Sequence, residues 1–200
     1  MVKKLLLSIA VTAILVLYSS EEIASAQTAA TVPVNVTVNG ALVITDASND
    51  SMSGINPNIN VSLSVTPDLG AAIVTGQANF RIRTNRTTWR LTAQRTVSNA
   101  GSTGIADTDV TLSVVKSAGS TGNANAGMLV SPFTALTNLN SIPTASSAGV
   151  VSGTAKTSST KDGTNTNNYF QVNTTYGIAP DFFYSPGTYS TIITYNLISP

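Results

Sequence analysis

The chain has 200 residues, a formal net charge of +1, charged side chains at only 10% of positions, and neither cysteine nor histidine. Its two glutamates, Glu21 and Glu22, lie near the start, so every later acid is an aspartate: Asp46, Asp50, Asp68, Asp107, Asp109, Asp162 and Asp181. These absences exclude disulfides, thiolate and imidazole metal sites and cysteine nucleophiles, and so small a net charge supplies no whole-molecule field to gather nucleic acid.

Taken in chain order, Lys3 and Lys4 precede an apolar run over 5–17, followed by Ala24-Ser25-Ala26. That is the pattern of a secretory signal peptide over 1–26, cleaved before Gln27. The run falls short of the roughly 20 residues a membrane-spanning helix needs, and nothing later approaches that length. The expectation is a secreted, extracellular or cell-surface chain, 27–200, forming one domain without a transmembrane anchor.

The next stretch predicts a strand over 32–45. Val32, Val34, Val36, Val38, Leu42 and Ile44 all occupy even positions, while Pro33, Asn35, Thr37 and Asn39 are odd, so one extended strand would put every apolar group on one face. Asn39-Gly40 is also a two-residue hairpin signal. A hairpin there would throw Leu42 and Ile44 onto the face opposite the valines, whereas a continuous strand kinked at Gly40 keeps the row intact. A regularly apolar strand so close to a free end has two fates: pairing within its own domain, or adding to another subunit's sheet. Val32, Val34, Val36 and Val38 are therefore candidates for strand exchange.

Further strands are predicted over 59–66, 72–83, 88–97, 110–116, 150–156, 169–178 and 188–198, where β-branched residues alternate with polar ones. Stretches rich in Gly, Ser, Thr and Asn at 98–107, 118–127 and 158–168 read as polar loops. Many short strands with turn residues between them, and no stretch of period 3.6, predict an all-β antiparallel sandwich with long polar loops.

The segment "FRIRTNRTTWRLTAQR" holds the only tryptophan and all five arginines. Phe80 and Ile82 alternate with Arg81 and Arg83, and Trp89, Leu91 and Ala93 alternate with Arg90. A hairpin turning at 84–87 would place Arg81, Arg83 and Arg90 on one outer face with Arg86 at the tip, a row able to fork onto phosphate or carboxylate groups of an anionic polymer. The plainer reading is a solvated sheet face kept soluble by charge. On either reading Trp89 is core, and Arg95, of inward parity, belongs at a strand end or snorkels out of the core.

Other constellations are weaker. Ser113 with Lys116 and Ser158 with Lys161 match SxxK without its companion motifs. Asp46, Asn49 and Asp50, or Asp107 and Asp109, offer oxygen atoms to calcium, but Asx residues in turns usually bond their own backbone; no metal or cofactor is expected. Tyr169, Phe170, Tyr176, Phe182, Phe183, Tyr184 and Tyr189 crowd the C-terminal region and would either stack on sugar rings or fill a sandwich core. Without His, Cys or a later Glu, acid–base catalysis near neutral pH would need strongly displaced Asp, Lys or Tyr groups. The expectation is a protein that is not an enzyme.

At "TTWRLTAQ" and "GTYSTIITYNLISP" the chain resembles the WxL-type surface domains of bacteria. Trp89 and Leu91 match the first Trp-x-Leu strand, and Tyr189, Leu197 and Pro200 match the frame of the second, where Tyr195 replaces Trp. The ending is also similar to secreted pilin-like and spore-coat-U-like subunits, which close on a Gly-x-Tyr strand. The resemblances imply an immunoglobulin-like or pilin-like sandwich at the cell surface. Its role would be that of a structural protein, wall-associated or fibre-forming by β-strand addition. Its partner would be a cell-wall polymer or surface polysaccharide and not nucleic acid; a polysaccharide-binding or adhesive module is the alternative.

Overall fold

The computed structural model describes residues 32–200. The signal segment expected over 1–26 lies outside the described residues. The chain divides into two units, Met1–Val38 and Asn39–Pro200. Within the first, residues 32–38 carry no regular secondary structure.

The second unit is all-β. Its strands are β1 (Leu42–Asp46), β2 (Val74–Thr84), β3 (Trp89–Arg95), β4 (Val110–Ala118), β5 (Gly127–Leu129), β6 (Thr137–Asn138), β7 (Ala148–Gly153), β8 (Phe170–Ile178) and β9 (Ile193–Ile198). They form two antiparallel sheets, one of five strands in the order β1-β2-β8-β4-β6 and one of four in the order β5-β7-β3-β9. Among the described residues no helix is long and apolar enough to cross a membrane.

Period-two alternation explains both the strands and their packing. Phe80 and Ile82 of β2, Leu112 and Val114 of β4, and Phe170 and Val172 of β8 face inward from the first sheet; Trp89, Leu91 and Ala93 of β3 and Val151 of β7 face inward from the second. The three β3 residues are 0% exposed. The Trp89 indole meets Phe170 edge-on at 5.5 Å between ring centroids, and its N–H donates to the Ala155 carbonyl at 2.8 Å. At the other end of the core Tyr195 of β9 lies 4.9 Å from the Phe80 ring and shares a 2.8 Å hydroxyl hydrogen bond with Tyr176 of β8. Both polar tips are thus hydrogen-bonded where their rings pack against the core, which avoids the cost of an unpaired polar group.

Three expectations are corrected. The hairpin over 80–95 does not form: β2 belongs to the five-stranded sheet and β3 to the four-stranded one, so the link over 85–88 crosses between sheets. The Thr84 N–H donates to Thr157 Oγ1 at 2.9 Å, and Asn85 holds the chain around Gly40, which fixes the end of β2 to other segments and not to β3. The strand expected over 32–45 is reduced to β1, and Asn39-Gly40 makes neither a hairpin nor a kink within a strand; the backbone passes it without a turn and enters β1. The stretch 59–66, expected as a strand, pairs with nothing among the described residues. Two very short strands, β5 and β6, carry too little alternation to be read from sequence.

Candidate functional site

The arginines come first, because the fold separates them. Arg81 and Arg83 project from the outer face of β2 onto Asp50, which lies in the loop after β1. Asp50 accepts from Arg83 Nη1 and Nη2 at 2.7 and 2.6 Å, from Arg81 Nη1 at 2.9 Å and from Thr45 Oγ1 at 2.6 Å. The Arg83 guanidinium, then the Thr45 hydroxyl and Arg81, hold the Asp50 carboxyl far below the usual carboxylate range against the opposing effect of burial. Arg81 lies over the Tyr169 ring at 4.2 Å, and Arg83 donates to the carbonyls of Asn165 and Thr166 at 2.8 and 3.0 Å. These two guanidiniums fasten the loops around 50 and 165 to the sheet.

Arg86 sits in the link after β2, with its guanidinium beside Gly40. Arg90 is exposed on β3, on the outer face of the other sheet. The four-arginine row therefore does not assemble on one face, because the inference from alternation assumed a hairpin. Arg95, at the end of β3, pairs with Asp107 at 2.6 Å and donates from Nε to the Ile142 carbonyl at 2.7 Å. Asp107 also accepts from the hydroxyls of Ser98 and Tyr189. Burial, and next the hydrogen bond to Asp107, push the Tyr189 phenol up to about 12. This cluster ties the 98–107 loop to the segment that leads into β9.

The oxygens offered to calcium are committed elsewhere. Asp50 is surrounded by cations, Asp46 accepts from the Ser48 N–H at 2.8 Å, and Asp109 from the Ala106 N–H at 2.8 Å. Among the described residues no three His, Cys, Asp or Glu side chains converge. Ser113 and Lys116 have opposite parity on β4, and Lys116 Nζ donates to the carbonyls of Ala124 and Gly127 at 3.0 Å each. The aromatic crowd divides too. Phe170 and Tyr176 are core, Tyr169 lies under Arg81 and Tyr189 is in the Asp107 cluster, while Phe182 and Phe183 stand 70% and 77% exposed.

The valines expected to exchange are the most exposed apolar row described. Val32, Val34, Val36 and Val38 are 78–81% exposed.

Two stretches, β9 and 57–66, are incompletely paired among the described residues. Among the described residues β9 is an edge strand, paired only to β3. Its inward residues Ile193, Tyr195 and Leu197 reach the core cluster but are only half-buried. The extended stretch 57–66 behaves alike: Ile59, Val61 and Leu63 reach the same cluster half-buried, while Asn60, Ser62 and Ser64 are exposed. Gly76 of β2 makes room for it, since a Cβ there would lie 2.7 Å from Val61 and 2.9 Å from Leu63. Yet no backbone hydrogen bond joins 57–66 to any other described residue. Sequence patterning marked both stretches as strands but carried no signal that they lack partners.

No protein-family model and no curated protein matches the chain. Of the residues behind the WxL resemblance, Trp89 and Leu91 lie on β3 and Tyr195 and Leu197 on the neighbouring β9, with Leu91 opposite Leu197, while Tyr189 and Pro200 lie outside the strands.

Proposed function

We propose that the protein is a secreted structural subunit of the bacterial cell surface, assembling into a fibre by β-strand addition, and that it is not an enzyme. The observation that carries this reading is the row Val32, Val34, Val36 and Val38, apolar at every second position and 78–81% exposed. Each valine left in water forgoes about 1.5–3 kcal/mol of burial, and a strand with one apolar face is the form in which a sheet edge takes up a peptide. Electron microscopy and sedimentation of the chain 27–200 test the reading. Fibres are expected from this chain and none after deletion of 27–38; identical fibres from the deleted chain would reject it.

Phe182 and Phe183 support a second reading, an adhesive module that holds a surface polysaccharide against the loop carrying them. Both phenyl rings are exposed, as a sugar-stacking platform requires. Retention of a monomeric chain on a glycan column, lost when both are changed to Ala, would favour it over the fibre.

A further inference from the structure

We infer that the sandwich of Asn39–Pro200 has two mutually complementary docking ends, and that each takes the opposite end of a second copy. An acidic, aromatic end around Asp68, Asp181 and Phe183 receives a basic end around Arg90, Lys156 and Lys161. Neither end includes the N-terminal arm, so the contact goes beyond strand addition and is tested apart from it.

Strand register sorts the charges. Val74 of β2 and Val110 of β4 both lie opposite Ile178 of β8, which gathers 67–73, 98–109 and 179–187 at one end of the sandwich. Phe170 lies opposite Ile82 and Ala118, and Trp89 opposite Gly153, which gathers 85–88, 119–126 and 154–169 at the other. Asp68, Asp109 and Asp181 belong to the first end. Arg86, Lys156 and Lys161 belong to the second, with Arg90 just inside β3, and the one acid among them, Asp162, leaves a surplus of cations. Among the described residues the ion pairs join Arg81 and Arg83 to Asp50 and Arg95 to Asp107, so neither surplus is neutralised. The eleven residues of β2 separate the ends by about 33 Å at about 3.3 Å each. That is several Debye lengths at physiological salt, where one is about 8 Å. Attraction between the two ends of one molecule is screened out, and each surplus is left for a partner.

The chemistry of the two ends selects a second copy as that partner. Phe182 and Phe183 are exposed at the acidic end, yet the loop carrying them is fastened in place. The Ser185 N–H donates to the Thr103 carbonyl at 3.0 Å, the Ser102 hydroxyl to the Pro186 carbonyl at 2.9 Å, and the Phe183 N–H to Asp181 at 2.8 Å. Phenyl faces beside carboxylates are the complement of Arg and Lys side chains, whose cations stack on the ring while the carboxylates accept their N–H groups. Arg90, Lys156 and Lys161 stand exposed at the opposite end to supply them. An anionic polymer would occupy the basic end and leave the acidic, aromatic end idle, whereas a second copy uses both. Unlike ends in contact make a heterologous interface, which repeats head to tail and does not close as a two-fold pair does.

Charge reversal tests the docking and carries its own rescue. Asp68→Lys with Asp181→Lys gives a chain with two basic ends, and Arg90→Glu with Lys156→Glu and Lys161→Glu gives one with two acidic ends; all five positions are exposed. Sedimentation equilibrium of the soluble chain 27–200 is expected to show association at about 0.01 M salt, where the Debye length is about 30 Å, and its loss at about 1 M, where that length is about 3 Å. Either variant alone should associate on the order of tenfold or more weakly than the parent chain, and an equimolar mixture of the two should recover the association as basic ends meet acidic ones. Recovery also shows that both variants are folded. Undiminished association of each variant alone, or a mixture no stronger than its components, would overturn the inference. So would inorganic polyphosphate bound at the basic end of a parent chain that does not self-associate, since the ends would then serve different partners. Fibres are read separately by electron microscopy, so fibres without this salt-dependent contact would leave strand addition standing, and the contact without fibres would leave the docking standing.

Discussion

At the scale of single residues the core is organised around Trp89, and two glycines make room for it. A Cβ on Gly153 would lie 2.1 Å from the indole, and one on Gly127 would lie 3.0 Å from it. The indole is wedged against Phe170 and hydrogen-bonded to Ala155, so it cannot step aside. Gly153→Ala is therefore expected to destabilise the fold by about 1–3 kcal/mol through overpacking, and Trp89→Ala by about 3–5 kcal/mol through the cavity it leaves. Denaturant midpoints measure both; an unchanged midpoint for Gly153→Ala would show that the ring relaxes. The parity of Trp89 with Leu91 and Ala93 made its burial legible in the sequence. The glycines beneath it were not legible, because a residue without a side chain leaves no mark on an alternating pattern.

At the scale of elements, alternation told which face of each strand is buried but not which sheet the strand joins. β2 and β3 both turn their apolar residues inward, and the same pattern fits a hairpin or a crossing between sheets. That ambiguity is why the arginines were placed in one row, and why the partner of Arg81 and Arg83 was missed. Asp50 is more than thirty positions from either and lies in a loop with no periodic signal. Its depressed pKa makes the latch sensitive to acid. The folded state holds fewer protons on Asp50 than the unfolded state does between the depressed value and the ordinary carboxylate value of about 4, so stability rises with pH across that interval. The contribution is complete above about pH 4 and is withdrawn as the pH falls below it. Asp50→Asn is expected to cost about 1.5–3 kcal/mol at neutral pH, the value of hydrogen bonds to charged groups, and to flatten the fall in melting temperature below pH 4. Some slope should persist, because Asp162 is held at about 2 by the Asn167 N–H and the Thr164 hydroxyl and still titrates in the variant. Parallel acid melting curves for the two proteins would show that the latch contributes nothing.

At the scale of the whole molecule, the proposed fibre reading rests on the exposed valines, while β9 and 57–66 are incompletely paired among the described residues. The valine row was legible because an alternation of that length is its own signal. The missing pairing was not, since 59–66 and 193–198 read as ordinary strands and only the three-dimensional arrangement shows that the first is unpaired and the second lies at a sheet edge among the described residues. The proposed strand addition predicts a linkage that needs no fibre to be seen. The chain lacking 27–38 keeps the nine strands found among the described residues and the core cluster, both of which lie in Asn39–Pro200. It is therefore expected to fold, with β9 and 57–66 as its least protected parts. A synthetic peptide of residues 27–38 that binds only the folded form should raise its stability by RT ln(1 + [L]/Kd), about 2.7 kcal/mol at a hundred times Kd. The melting temperature should climb with peptide concentration and keep climbing logarithmically past saturation. A peptide with Val34→Ser and Val36→Ser keeps the backbone donors and acceptors but loses half of the apolar row, so its effect should be far smaller. Equal stabilisation by both peptides would mean that backbone pairing alone drives the association, and no shift with either would remove the arm from any role in completing the sandwich.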